Sequence, residues 1–152
     1  VNSFSDFDKV KMVATAVRKG LVDLVKSGEV RYYGLDLGGL CGQASVQIYE
    51  ICKKLGIDDI ELHMAPGHMF NVFRGKIVDV MATQFNKRRK GVYIIKYSYG
   101  RKKYFHYRTD KISRDYKDTW GFYNGVDFNR NRKYIRKHLN EQILRIIDKK
   151  NF

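Results

Sequence analysis

The sequence predicts an α+β domain in which helices pack on an antiparallel sheet. Three observations point there. Apolar residues recur at helical spacing in two N-terminal segments and one C-terminal segment. Between them lie short alternating runs punctuated by Gly. The chain has 152 residues, 43% apolar, with a single proline, Pro66, which suits one domain over 1–152 with one main core.

Ser5-Asp6 opens the first helix, with Asp8 in its first turns. Val10, Val13, Val17, Leu21 and Leu24 form its apolar stripe to about Lys26, and Ser27-Gly28 stops it. Residues 29–37, with Val30, Tyr32, Tyr33 and Leu35, read as a short strand or an extended loop. Gly38-Gly39 turns the chain into a second helix from Cys41 to Leu55, closed by Gly56. Ala44, Ile48, Ile51, Cys52 and Leu55 line one face of it, and Cys41 shares that face.

A strand is expected near Ile60–Met64, then a turn at Ala65-Pro66-Gly67. His68–Phe73 and Lys76–Met81 read as a hairpin joined at Arg74-Gly75. Val92–Tyr97 reads as another strand, with Lys103–Arg108 as its partner across Tyr99-Gly100. Residues 109–131 read mostly as loop, anchored by Trp120, Phe122, Tyr123 and Phe128. A final helix is expected over Arg132–Lys149, its buried stripe formed by Ile135, Leu139, Ile143, Ile146 and Ile147.

Charge divides the chain. The net charge is +14. Residues 1–85 hold 10 Lys+Arg and 10 Asp+Glu, so the excess lies in residues 86–152. Lys87, Arg88, Arg89 and Lys90 form one basic block, and Arg101, Lys102 and Lys103 another. Such blocks suit a solvated surface or contacts with an acidic protein or a nucleic acid. With the nearby tyrosines, they also admit a reading as a nucleic-acid-binding protein in which the cysteine, histidine and aspartate are structural or inactive.

No apolar run approaches the roughly 20 residues of a bilayer span, so no transmembrane segment is expected. No leader of the secretory kind is read at the N-terminus. Cys41 and Cys52, on one helix, would sit about 16 Å apart, too far for a disulfide. Two free thiols suit a reducing, cytoplasmic setting.

The chemistry concentrates in three residues. Cys41 stands at a helix start, where unpaired N–H groups favour an anion. With a two-residue turn at Arg74-Gly75, Phe70 faces Asp79, so His68 and Asp79 project from one face as diagonal neighbours, about 7–8 Å apart at most. Met69, Val78 and Val80 then line the other face. A thiol nucleophile, an imidazole base and a carboxylate orienter make a triad for attack on a carbonyl. The Cys41 N–H is placed to stabilise an oxyanion. Gly39, Gly42, Gln43, Tyr33, His63 and Gln84 are further candidates for oxyanion or substrate contacts. His106 and His138 are expected at the surface. No close ligand pair supports a metal site.

Leu40-Cys41-Gly42-Gln43-Ala44-Ser45, Gly67-His68-Met69-Phe70-Asn71-Val72 and Val78-Asp79-Val80-Met81-Ala82-Thr83-Gln84-Phe85 together resemble the transglutaminase-like superfamily, a branch of the papain-like fold. The resemblance covers residues 38–85. It implies a catalytic helix packed on an antiparallel sheet, with Cys41 as nucleophile, His68 as base and Asp79 as orienter. It also implies amide hydrolysis or acyl transfer through a thioester, on a protein or peptide, with no cofactor. The sequence departs from the family in having Gly42 after the cysteine, Val80 and Met81 after the aspartate, and no glutamine in the approach to Cys41.

Overall fold

The computed structural model describes residues 4–28, 40–109, 125–147 and 152. The expected strand at 29–37, the turn at Gly38-Gly39, the candidates Tyr33 and Gly39, and the anchors Trp120, Phe122 and Tyr123 lie outside the described residues.

The architecture is α+β, with a four-stranded antiparallel sheet and five helices among the described residues. Helix α1 (Asp6–Lys26) starts at a capping box. The Ser5 hydroxyl accepts from the Asp8 N–H, and the Asp8 carboxylate accepts from the Ser5 N–H. Its predicted stripe is buried from Val10 to Leu24. Helix α2 (Cys41–Lys54) ends where Gly56 takes a φ of 80°.

Strands β1 (Ile60–Ala65), β2 (His68–Phe73), β3 (Lys76–Asp79) and β4 (Tyr93–Lys96) form a meander in that order. Arg74 and Gly75 join β2 to β3 with φ of 48° and 78°, the paired positive values of a type I′ turn. Phe73 therefore pairs with Lys76, Val72 with Ile77 and Asn71 with Val78, the two-residue-turn register expected from the sequence.

That register sorts the side chains. Met69, Phe73, Val78 and Val80 join the main core beneath the helices. Phe70, Val72 and Ile77 face a smaller core completed by Tyr107, with Tyr93, Ile95, Tyr97 and Tyr104 packed around it. Buried Asn71 fixes α2 to the sheet. Its Nδ2 donates to the Ser45 carbonyl at 3.0 Å and the Glu61 carbonyl at 3.3 Å.

The expected partner strand at Lys103–Arg108 is instead helix α3 (Tyr97–Lys103) followed by a 3-10 turn, Phe105–Tyr107. Strand β4 pairs with β3, and the chain then folds back over the sheet. Tyr97, Gly100, Tyr104 and Tyr107 are spaced three, four and three apart, a helical signal. At Gly100 an added Cβ would meet Ile77 and Ile95 side chains at 2.6 and 2.7 Å. Glycine is what lets α3 lie this close to the sheet.

The expected final helix is divided into α4 (Gly125–Arg136), which begins inside the predicted loop, and α5 (Glu141–Ile146). Asn140 caps α5 through the Gln142 N–H. The break leaves Ile135, Leu139, Ile143 and Ile147 buried but Ile146 58% exposed, so Ile146 leaves the predicted stripe. Among the described residues, no helix is long and apolar enough to cross a membrane.

Helix α4 crosses α1 at Gly20, where an added Cβ would meet the Ile135 backbone nitrogen at 2.6 Å. Helix propensity alone predicts that Gly20→Ala stabilises by about 1 kcal/mol. The backbone contact reverses that sign, and overpacking typically destabilises by about 1–3 kcal/mol. A thermal melt should show Tm lowered by roughly 2–12 °C; a raised Tm would refute the close crossing.

Candidate active site

Strand β2 begins with His68 and β3 ends with Asp79, so antiparallel pairing puts both at one end of the sheet. Helix α2 begins with Cys41 at that same end. His68 Nε2 lies 2.7 Å from Asp79 Oδ2, and Cys41 is close enough to the His68 ring to help raise its pKa. All three are covered: Cys41 is 4% exposed, His68 0% and Asp79 2%.

The Asp79 carboxylate is enclosed by donors. Oδ2 also accepts from the Tyr107 hydroxyl at 2.7 Å, and Oδ1 accepts from the Met81 N–H at 2.8 Å. Burial pushes its pKa up. The His68 charge and hydrogen bond, the Tyr107 hydroxyl and the Met81 N–H outweigh burial and hold it below the usual carboxylate range. Burial pushes His68 down, but the Asp79 charge and hydrogen bond, with help from Cys41, raise it to about 9. The pair is therefore imidazolium and carboxylate at neutral pH. Tyr107 is held protonated by burial and by the Asp79 charge.

Arg18 fixes the segment that leaves Asp79. Its Nη1 donates to the Val80 carbonyl at 3.0 Å and to Thr83 Oγ1 at 2.9 Å. The following 3-10 turn, Ala82–Gln84, brings the Gln84 carboxamide nitrogen to 3.1 Å from His68 Nδ1. Beside a neutral ring that NH2 donates to Nδ1; beside an imidazolium, which has N–H on both nitrogens, the carboxamide would have to turn its oxygen to the ring.

An aromatic wall closes this end. The Phe85 ring stands edge-on to His68 at 4.8 Å and stacks on His106 at 3.9 Å. Arg89 Nη1 donates to His106 Nε2 at 2.9 Å. Burial, then the Arg89 and His68 charges, push His106 down to about 4, so it is neutral beside the charged His68. His106, expected at the surface, is half-buried because the Phe105–Tyr107 turn folds it against the site. His138, likewise expected at the surface, is half-buried and lies 2.6 Å from an Asp23 carboxylate oxygen.

The remaining candidates fall elsewhere. His63 packs between Phe70 and Tyr97, with Nε2 3.4 Å from Glu61; burial lowers its pKa, partly offset by Glu61. Gln43 is buried, and its Oε1 lies 3.5 Å from Asn131 Nδ2 on α4. Gly42 sits in the first turn of α2, whose leading N–H groups have no side-chain cap. Lys87, Arg88 and Lys90 are exposed and Arg89 is half-buried. Arg101, Lys102 and Lys103 are exposed on the last turn of α3. Among the described residues, no group of three or more His, Cys, Asp or Glu side chains is placed to hold a metal.

Sequence reading missed Tyr107, Phe85 and Arg18. The helical spacing of Tyr97, Tyr104 and Tyr107 was the available signal for the first. Phe85 and Arg18 had none, because their contacts are set by tertiary folding. Compared with family models, curated proteins and solved structures, the chain matches none.

Replacing Asp79 with Asn leaves burial to dominate at His68. An NMR titration should then move His68 from about 9 to below its ordinary 6.5; a value staying near 9 would refute Asp79 as the cause. The linked stability follows the same sign. The His68 contribution is full below pH 6.5 and is lost as pH rises toward 9. The Asp79 contribution is present above its ordinary 3.8 and is lost on acidification below it. Melts across pH 5–10 should therefore show an alkaline decline in the native chain and a flatter one in Asp79→Asn.

Proposed function

We propose that this chain is a cysteine-dependent amide hydrolase or acyl transferase acting on a protein or peptide. The observation that carries the reading is the buried His68–Asp79 hydrogen bond with Cys41 close to the ring at the start of α2. The order helix, strand, strand and the residue types are similar to the transglutaminase-like superfamily, and the finer architecture proposed is papain/transglutaminase-like.

In this scheme the proton of the Cys41 thiol resides on His68, and the sulfur attacks the carbonyl carbon. The carbonyl oxygen takes the electron pair, facing the Cys41 N–H and the first turn of α2. His68 delivers its proton to the leaving nitrogen, the C–N bond breaks and a thioester forms. Water, deprotonated by the now neutral His68, hydrolyses the thioester; an amine in its place gives acyl transfer. Asp79 holds the imidazole by Nε2 throughout, with Tyr107 and the Met81 N–H holding Asp79. The scheme calls for no cofactor. The free thiols Cys41 and Cys52 fit a reducing cytoplasm as the proposed setting.

Iodoacetamide labelling with peptide mapping tests this. Burial pushes the Cys52 thiol up to about 12, so Cys52 should stay unlabelled while Cys41 reacts near neutral pH. His68→Ala should slow Cys41 labelling by at least about tenfold. Equally slow labelling of both thiols, or no effect of His68→Ala, would overturn the reading.

A further inference from the structure

We propose that the face formed by the segment Asn86–Lys90, β4, α3 and the Phe105–Tyr107 turn docks an acidic polypeptide segment, the one carrying the amide that Cys41 attacks. The proposal rests on the acyl-transfer reading above.

Two open grooves mark this face. One, of about 410 Å³, is lined by Asn86, Arg88, Arg89, Lys90, Tyr93 and Ile94. The other, of about 570 Å³, is lined by Ser98, Arg101, Lys102, Arg108 and Thr109. Among the described lining residues there are six cations and no carboxylate. One lining residue of each groove is tied to the residues around His68 and Asp79. Arg89 donates to His106, whose ring centroid lies 5.9 Å from that of His68. Arg108 directly follows Tyr107, whose hydroxyl holds Asp79.

Two cations of this face, Arg89 in the first groove and Lys103 on α3 beside the second, are already ordered. The Arg89 guanidinium lies 4.9 Å from the Tyr93 ring centre and 4.5 Å from that of Tyr104. The Lys103 ammonium lies 5.3 Å from Tyr99 and 5.5 Å from Tyr104. Stacked cations lose less side-chain freedom when a carboxylate arrives. The same stacking leaves fewer rings open to the bases of a single-stranded nucleic acid: cations lie over Tyr93, Tyr99 and Tyr104, while Phe105 is 64% exposed. A nucleic acid also offers no peptide amide to the thiol. A carboxylate-rich polypeptide satisfies both the charge and the chemistry.

The experiment uses the full chain, fluorescein-labelled octaglutamate and a labelled 20-nucleotide oligothymidylate. Fluorescence anisotropy at 50 mM NaCl should show octaglutamate binding that weakens with salt. Excess octaglutamate should slow Cys41 alkylation by iodoacetamide. The pairs Arg101→Glu/Lys102→Glu and Arg88→Glu/Lys90→Glu, all at exposed positions, should each weaken octaglutamate at least tenfold. Both variants should keep the native melt and native Cys41 alkylation without peptide. No octaglutamate binding, binding unaffected by both pairs, or binding that leaves Cys41 alkylation unchanged would overturn the proposal. Tighter binding of oligothymidylate than of octaglutamate would overturn it in favour of nucleic acid. Fast, His68-dependent alkylation without octaglutamate binding would sink the docking face alone. Octaglutamate binding by a chain whose Cys41 reacts no faster than Cys52 would instead sink the acyl-transfer reading.

Discussion

The Asp79 carboxylate is the interaction on which the site depends. It is 2% exposed, and an unpaired charge at that depth is strongly unfavourable. It stays ionised because three donors from three parts of the chain meet it: the His68 ring from β2, the Tyr107 hydroxyl from the turn after α3, and the Met81 N–H just past β3. Removing one partner of such a cluster destabilises by roughly 3–5 kcal/mol, because the remaining charge stays buried. That penalty ties chemistry to folding. The Phe105–Tyr107 turn must seat Tyr107 for the second core to close, and seating it completes the carboxylate's shell. Arg18 applies the same logic from α1, gripping the backbone that leaves Asp79.

Two histidines show how the surroundings divide the protons. Their ring centroids are 5.9 Å apart, close enough that both carrying charge would be unfavourable. Burial lowers both rings; the Asp79 charge and hydrogen bond overcome it at His68 and raise it to about 9, while the Arg89 charge adds to burial at His106, which falls to about 4. Groups whose surroundings push them apart in this way mark an acid or base and its neutral neighbour. His106 is then an aromatic plate, stacked on Phe85, with Nε2 engaged by Arg89. His68 is the charged partner at the thiol. The basic surface is therefore wired into the site through Arg89, whose charge helps keep His106 neutral.

The hairpin that carries His68 and Asp79 was legible because short-range rules decide it. Arg74-Gly75 between two apolar runs allows a two-residue turn, and that turn fixes which residues share a face. The α1 cap and the ends of α2 were equally readable, since Ser5, Asp8 and Gly56 act within one turn of the chain. Long-range packing decided what was misread. Lys103–Arg108 was expected as a strand partner to Val92–Tyr97 across Tyr99-Gly100, but the chain instead folds back over the sheet as α3, and Gly100 against Ile77 and Ile95 makes that packing feasible. The helical spacing of the tyrosines competed with that expectation and prevailed. The continuous stripe from Ile135 to Ile147 hid the break that Asn140 makes by capping α5. Gln43 was read as a substrate contact from its place beside Cys41, yet its side chain engages Asn131, 88 residues away in sequence.

Gln84 shows how the proton state and geometry of the site constrain each other. With Nε2 bound to Asp79, Nδ1 is the nitrogen left for exchange with a thiol, and Gln84 lies 3.1 Å from it. While His68 is charged, Nδ1–H needs an acceptor, which a turned Gln84 carboxamide would offer through its oxygen. When the imidazole is neutral, its lone pair attracts the Gln84 NH2 instead. The carboxamide thus suits both protonation states. A carboxylate there would trap the imidazolium, and a hydrocarbon would offer a buried N–H no partner. A glutamine six residues past Asp79 on a 3-10 turn meets that requirement: it steadies the ring against Asp79 without fixing where its proton lies.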